Sequence, residues 1–396
     1  MTAASLRGSA AVVGVGHTDF TTDSGRSEWQ LAIEAVDAAL ADAGLSAADV
    51  DGVIRYSADQ VNEAMVGEAF GFDLRYHSQV GFGGQSAAAV VGHAAAAVAT
   101  GLASVVVCYR SLNGRSGARY GRAERHIATD ADERVVATGR MAPQGAFAGP
   151  YGLLAPGQVM ALWADRYAHE AGIGLGELTD ALGAIAVGQR RFANANPHAI
   201  MRDKPLDIDA YRASRWISQP LRLYDFCLET DGAAAVVVAG PDVVQRGGPP
   251  AAWVLGCQQA LHEESMELYT ELGNGPDHRR RADQLFAAAG VDRGDVRVAS
   301  LYDASTIMVL LSLEGYGFVE PGQAWRHVRD HGIGLDAPLA VNTSGGHLSE
   351  GYVHGFNHLI EAVRQLRGTS CNQVDGAGVT LVGAAGASGL LLGRDR

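Results

Sequence analysis

The chain has 396 residues with 31 basic and 44 acidic side chains, a net charge of −13, and its cations are thirty arginines and one lysine, Lys204. Such an acidic balance provides no field for wrapping nucleic acid, and it confines any Schiff-base mechanism to Lys204 in the polar loop MRDKPLDID. Four widely spaced cysteines without a C-x-x-C pair encode neither a zinc ribbon nor a redox dithiol and fit a reducing, cytoplasmic setting.

The opening segment MTAASLRGSAAVVGVG carries one Arg and a short apolar run that breaks at Gly14 and Gly16, so it predicts a first strand and not a signal peptide. Every longer apolar run is cut by Gly, His or charge before about twenty residues, so no membrane span is expected. The 47% hydrophobic content suffices for buried cores, and 51 glycines imply many tight turns, since an average chain has roughly 7%. Residues 43–56, AGLSAADVDGVIRY, predict a helix that stops at Gly44 and a β-branched strand that ends at Tyr56. There follow a glycine-rich loop running into an Ala-rich helix, GFGGQSAAAVVGHAAAAVATG, and the strand ASVVVCY. The stretch 112–220 begins with Arg115, Arg119, Arg122, Arg125, Arg134 and Arg140 among Gly and Asp. It continues with helical periodicity in GQVMALWADRYAHEAGI and GELTDALGAIAVGQRRFANANP. DGAAAVVVAG then reads as a fully buried strand.

The second half repeats the first. Residues 289–302, AGVDRGDVRVASLY, match 43–56 at a constant offset of 246, which places Tyr56 and Tyr302 at equivalent strand ends. NTSGGHLSEGYVHGFNHLIEAVRQLRG mirrors the first glycine-rich loop and helix, and VTLVGAA mirrors the strand after it. Two correspondences in the same order predict two βαβ-type halves with two parallel-rich sheets built alike. The expected division is 1–111 with 221–243 for the first half and 244–396 for the second, with 112–220 an inserted loop region above the scaffold, where substrate contacts usually lie.

Four segments carry a family resemblance: PYGLLAPGQVMALWADRYAHEAGI at 150–173, NANPHAIMRDKPL at 194–206, ISQPLRLYDFCLETDGAAAVVVA at 217–239 and NTSGGHLSEGYVHG at 342–355. In this order they resemble the thiolase-like enzymes, in the lipid-transfer or SCP-x thiolase branch. The resemblance implies an α/β thiolase fold, with two pseudo-repeated βαβαβαββ halves in a layered αβαβα arrangement. In that family a nucleophilic cysteine opens the helix after the first glycine-rich loop, where the helix dipole favours a thiolate. Here the loop reads Gly83-Gly84-Gln85-Ser86 and no cysteine precedes Cys108, so covalent acyl transfer at that position is not expected. Ser86 is the substitute nucleophile to weigh, with no evident base beside it. The family's Gly-His-Pro element corresponds to Gly351-Tyr352-Val353, and the strand end with Asn-Glu-Ala-Phe or His-Asp-Cys-Phe corresponds to Tyr302-Asp303-Ala304-Ser305. The late cysteine is missing from the closing hairpin VGAAGASG, and Cys371 reads as a bystander.

A thiolase scaffold without its acyl carrier, but with the means to form an enolate, suits aldol chemistry. Tyr302 and Tyr352 are the candidate acid and base. Tyr352 is read as the start of a helix whose amides favour an anion, and Asp303 beside Tyr302 acts in the opposite direction; on that reading Tyr352 is the better base, with the roles exchangeable. His347 is read as holding the enolate oxygen or as a plain loop histidine. Asn342 is read as a loop cap or as ordering a water, and Gly345 and Gly346 as admitting substrate or making a tight turn. His354 and His358 have metal-compatible i, i+4 spacing without an apparent third ligand, so no metal or bound organic cofactor is expected. The arginine series reads as solvated charge or as contacts to CoA phosphates. The resemblance further implies a steroid side-chain-cleaving acyl-CoA aldolase, a carbon–carbon lyase. It would convert a β-hydroxyacyl-CoA, a 17-hydroxy steroid with a shortened CoA-thioester side chain, to a 17-ketosteroid and propionyl-CoA. It also implies a homodimer joined to an OB-fold and zinc-ribbon acyl-CoA-binding protein as a heterotetramer. The alternatives are a cysteine-independent acyltransferase and a non-catalytic sterol-CoA carrier.

Overall fold

Twelve strands are defined in the computed structural model, which describes residues 6–57, 59–81, 86–117, 119, 149–260, 272–384 and 388–396. Gly83, Gly84, Arg122, Arg125, Arg134 and Arg140 lie outside the described residues. In chain order the strands are β1 (Ala11–His17), β2 (Gly52–Tyr56), β3 (Tyr76–Val80), β4 (Val105–Asn113), β5 (Trp216–Ser218) and β6 (Leu221–Arg222). The second set is β7 (Asp231–Ala239), β8 (Ala252–Gln259), β9 (Val296–Leu301), β10 (Ala340–Val341), β11 (Val379–Ala384) and β12 (Ser388–Gly393). Ten of them form one sheet in the order β10-β9-β11-β12-β8-β1-β7-β4-β2-β3, while β5 and β6 make a separate antiparallel pair.

The internal repeat is written into this order. Strands β3-β2-β4-β7-β1 and β10-β9-β11-β12-β8 follow the same path: a central strand parallel to both neighbours, then two antiparallel pairings. The two runs meet where β1 pairs with β8 through Ala11↔Trp253 and Val12↔Ala252. The two β layers expected from the repeat are thus two five-stranded halves built alike and continuous through the short β1–β8 pairing, and each is mixed instead of parallel-rich. A parallel neighbour needs a crossover of a dozen residues or more, whereas β12 begins four residues after β11 ends and can only return antiparallel.

Local chemistry repeats as well. The helices Glu28–Ala43 and Pro276–Ala289 both stop at a left-handed glycine, Gly44 (φ 67°) and Gly290 (φ 60°), as the sequence predicts. Each is followed by a short 3-10 turn leading into the next strand. Along β4, Val105, Val107 and Tyr109 face one core while Val106 and Cys108 face another, which is the period of two of a strand covered on both sides. The second core is filled by the helices Ala87–Ala99 and Phe356–Arg367, which touch each other and strands of both halves. They form a middle helical layer, and Glu28–Ala43 and Pro276–Ala289 lie on the outer faces, giving the five-layer α-β-α-β-α stack. From the 112–220 region, the helix Leu175–Ala195 packs against the turn Gly346–Ser349 and so underlies the second glycine-rich loop. Among the described residues no single helix is long and apolar enough to cross a membrane.

Candidate active site

Two tyrosines leave this scaffold at fixed angles. Asn342, just past β10 and left-handed (φ 55°), spends both ends of its amide on Leu301: Oδ1 accepts from the Leu301 N–H at 2.7 Å and Nδ2 donates to its carbonyl at 2.9 Å. That clamp on the last residue of β9, with the Tyr302 N–H donating to Gly383 O at 2.8 Å, sets where Tyr302 points. Tyr352 is tied at its backbone to Thr230: its N–H donates to the Thr230 hydroxyl at 2.9 Å, and that hydroxyl donates back to the Tyr352 carbonyl at 3.1 Å. The two phenols meet, with the hydroxyl oxygens of Tyr302 and Tyr352 2.7 Å apart. His347 packs edge-on against both rings, 4.9 Å between centroids in each case.

Tyr352 does not start a helix. The helix is Phe356–Arg367, and Tyr352 sits in the turn between it and the short helical turn Gly346–Ser349, because His354 (φ 50°) and Gly355 (φ 86°) are both left-handed. The helix-terminus support expected for a Tyr352 anion is replaced by a nearer one, the Tyr302 hydroxyl. A phenolate that accepts a short hydrogen bond is favoured over one that does not.

Below the tyrosines lies Asp303, wholly buried. Its carboxylate accepts the His347 amide N–H (3.0 and 3.1 Å to the two oxygens) and His358 Nε2–H at 2.8 Å. His347 Nδ1 stands 2.9 Å from the same Oδ1, though poorly aligned for a hydrogen bond. Burial opposes ionisation of Asp303, but the two histidines outweigh it and hold the carboxyl below its ordinary range. The Gly355 N–H donates to His347 Nε2 at 3.0 Å, and Asn357 Oδ1 stands at the same distance. One nitrogen cannot serve both, and the backbone N–H has no other orientation, so Nε2 presents its lone pair and Nδ1 carries the proton toward Asp303. Of the two readings of His347, this geometry favours the support of the loop: it is fully buried and both ring nitrogens turn into the protein.

Burial and the neighbouring His358 push His347 down to about 4, against the pull of Asp303. Between pH 6.5 and about 4 the unfolded chain then binds a proton at this residue that the folded chain does not. Stability is expected to fall with pH across that window by about 1.4 kcal/mol per unit from this group. Urea unfolding at several pH values checks it, and His347→Gln should flatten the slope.

His354 and His358 part company despite their spacing: His358 joins Asp303, and His354 turns to Arg110, whose Nε–H donates to its Nδ1 at 2.9 Å. Asp303, His347 and His358 do bring three donor atoms within 4.8 Å of one another, a group the sequence reading missed. The Asp303 oxygen lies 2.8 and 2.9 Å from the two nitrogens, whereas ligands on a tetrahedral zinc would stand about 3.3 Å apart. These separations are too short for two ligands of one zinc, and the triad reads as a polar cluster that fixes the turn.

A second polar layer was also invisible in the sequence. Glu350 accepts from Ser344 (2.7 Å), Asn357 (2.9 Å) and Asn196 (3.1 Å), and Glu361 accepts from Gln365 (2.9 Å) and Ser370 (2.8 Å). The glycines serve this packing. An added Cβ on left-handed Gly346 would strike Asp303 and Gln189 (2.7 Å), on Gly345 Ala193 (2.7 Å), and on Gly351 the Phe20 ring. They leave room for these protein atoms. Gly346→Ala is expected to cost about 2–4 kcal/mol from left-handed strain plus overpacking, read as a lower denaturation midpoint. Ser86 is 6% exposed, and its hydroxyl donates to Gly81 O at 3.4 Å.

The Thiolase C-terminal domain-like family matches residues 261–390. Over 98% of its length the chain is 42% identical to the 17-hydroxy-3-oxo-4-pregnene-20-carboxyl-CoA lyase of Mycobacterium tuberculosis, all of which is covered. It is 40% identical to a steroid side-chain-cleaving aldolase of Thermomonospora curvata, with 99% of each chain covered. Among solved structures it superposes on the Ltp2-ChsH2(DUF35) aldolase with a TM-score of 0.89 at 39% identity, covering 99% of each chain.

Proposed function

The chain belongs to the thiolase-like superfamily, in the branch of the steroid side-chain-cleaving aldolases, and from that premise we propose that it is a retro-aldolase acting on a 17-hydroxy steroid with a shortened CoA-thioester side chain. The observation that carries the mechanism is the 2.7 Å contact between the Tyr302 and Tyr352 hydroxyls. One tyrosine, as phenolate, takes the proton of the tertiary alcohol. The freed electron pair becomes the ketone C=O, and the α–β carbon–carbon bond breaks. Its electrons pass to the thioester as an enolate, and the second tyrosine delivers its proton to the α carbon, leaving a 17-ketosteroid and propionyl-CoA. The base now bears a proton and the acid lacks one; at 2.7 Å a single transfer between the two oxygens resets the pair. General acid–base transfer of this kind contributes about 10²- to 10⁴-fold. Asn342, Asp303, His347 and the glycines hold the pair in place.

The relative whose solved structure carries a ChsH2(DUF35) partner supports a heteromeric assembly here too, with an OB-fold and zinc-ribbon acyl-CoA-binding protein. The exposed side of β3, last in the sheet order, suits pairing with a second copy, which gives a heterotetramer in the cytoplasm. The test is incubation of the protein, with and without the partner, with the 17-hydroxy steroid CoA thioester. Ketosteroid and propionyl-CoA should form in equal amounts, and intact mass should show no acyl-enzyme. A persistent acyl-enzyme would instead identify an acyltransferase, and binding without ketone a carrier.

A further inference from the structure

Beneath the tyrosine pair lies a buried cation that the mechanism above does not use. Arg110, on β4, has a side chain 2% exposed and pairs with the fully buried Asp59 at 2.8 Å. Its NH1 also donates to the Ser111 carbonyl at 2.6 Å, and its Nε–H donates to His354 Nδ1 at 2.9 Å. A guanidinium keeps all its protons in a protein and can only donate. His354 Nδ1 must therefore present a lone pair, and the ring's proton sits on Nε2.

His354 is gripped from the first half of the chain at a second point, its carbonyl, which accepts from the buried Tyr56 hydroxyl at 2.8 Å. It is one of two left-handed residues other than glycine among the described residues, a conformation that persists where surrounding contacts enforce it. Its ring then stands edge-on to Tyr352, centroids 4.9 Å apart. The groups that face it are Arg110, itself paired with Asp59, from one side, Tyr56 from β2, and His347 and Tyr352 from its own loop.

We infer that Arg110, acting through His354, is a positioning residue for Tyr352: it locks His354 as a neutral Nε2–H ring and so fixes the ring against which Tyr352 is set. This rests on the assignment of Tyr352 to the reaction. Burial and the adjacent guanidinium both disfavour a charged His354, in the same direction as the geometry.

Two measurements test it. In the assembled wild-type complex, ring-nitrogen NMR of labelled histidine, with the His354 signal identified by its loss in His354→Gln, should show an unprotonated Nδ1 and a protonated Nε2, unchanged from pH 5.5 to 8.5. An Nδ1–H ring, or titration within that range, overturns the inference. The second is the pH profile of kcat/KM. Arg110→Met frees Nδ1 and removes one of the two causes that keep His354 uncharged, while leaving the Asp59 carboxylate without its cation, so the ring takes a proton at a higher pH than in the wild type although burial still opposes it. The variant should lose about 10²-fold at pH 6 and recover part of that loss by pH 8.5, a step absent from the wild type. Arg110→Met/His354→Gln should lack the step. A uniform loss at every pH, or a step that survives in the double variant, counts against the role. Tyr352→Phe, measured beside them, separates the two claims. Near-normal turnover there removes the reading of Tyr352 itself, whereas an inactive Tyr352→Phe with an ordinarily titrating His354 removes only the part given to Arg110.

Discussion

Tyr352→Phe and Tyr302→Phe are each expected to lower the cleavage rate about 10²- to 10⁴-fold while leaving the fold intact. Each change deletes one oxygen from the contact between the phenols. What remains is a single hydroxyl that must serve as acid and base without a partner to stabilise its anion or return its proton. The rings, packed on His347, keep their shape, so unfolding midpoints should move little. The expectation is checked by single-turnover assays of ketosteroid formation together with thermal unfolding. Turnover near that of the wild type in both variants would remove the tyrosines from the chemistry.

Asp303→Ala is expected to act on stability first, by about 3–5 kcal/mol, because it strips the acceptor from a fully buried cluster. The His347 amide and His358 Nε2 would both be left without their carboxylate. Asp303→Asn, which keeps the shape and one acceptor oxygen, should lose less. Chemical denaturation of the two variants side by side measures the difference. An Asp303→Ala protein as stable as the wild type would show that the triad does not hold the loop.

How much of this was legible beforehand follows from range along the chain. The repeat at 43–56 and 289–302 encodes matching strands, matching glycine stops and the equivalence of Tyr56 with Tyr302, and all of these recur in the fold. The approach of Tyr302 to Tyr352 followed from the family resemblance. Local patterns failed where the backbone departs from regular structure. Tyr352 read as a helix start because the left-handed turns at His354 and Gly355 leave no mark in apolar periodicity. The i, i+4 spacing of His354 and His358 suggested a pair, yet His354 lies before the first helical residue, so the helical spacing does not apply. The supports were hidden by distance: Asn196 meets Glu350 across 154 positions and Arg110 meets His354 across 244. Neither pair has a sequence signature.

The bond from Tyr56 to the carbonyl of His354 spans 298 positions, and it bears on the order in which the protein assembles. Contacts that close such long loops are slow to form, because the ends must find each other before anything rewards the meeting. During synthesis the strand bearing Tyr56 emerges long before the turn it secures. The turn proposed to carry Tyr352's chemistry therefore sets only after a long loop has closed, and a chain cut short before residue 354 holds most of the described strands without it. Under the proposed mechanism, catalytic competence becomes a report on folding, arriving only when this turn has been gripped by a strand made long before it.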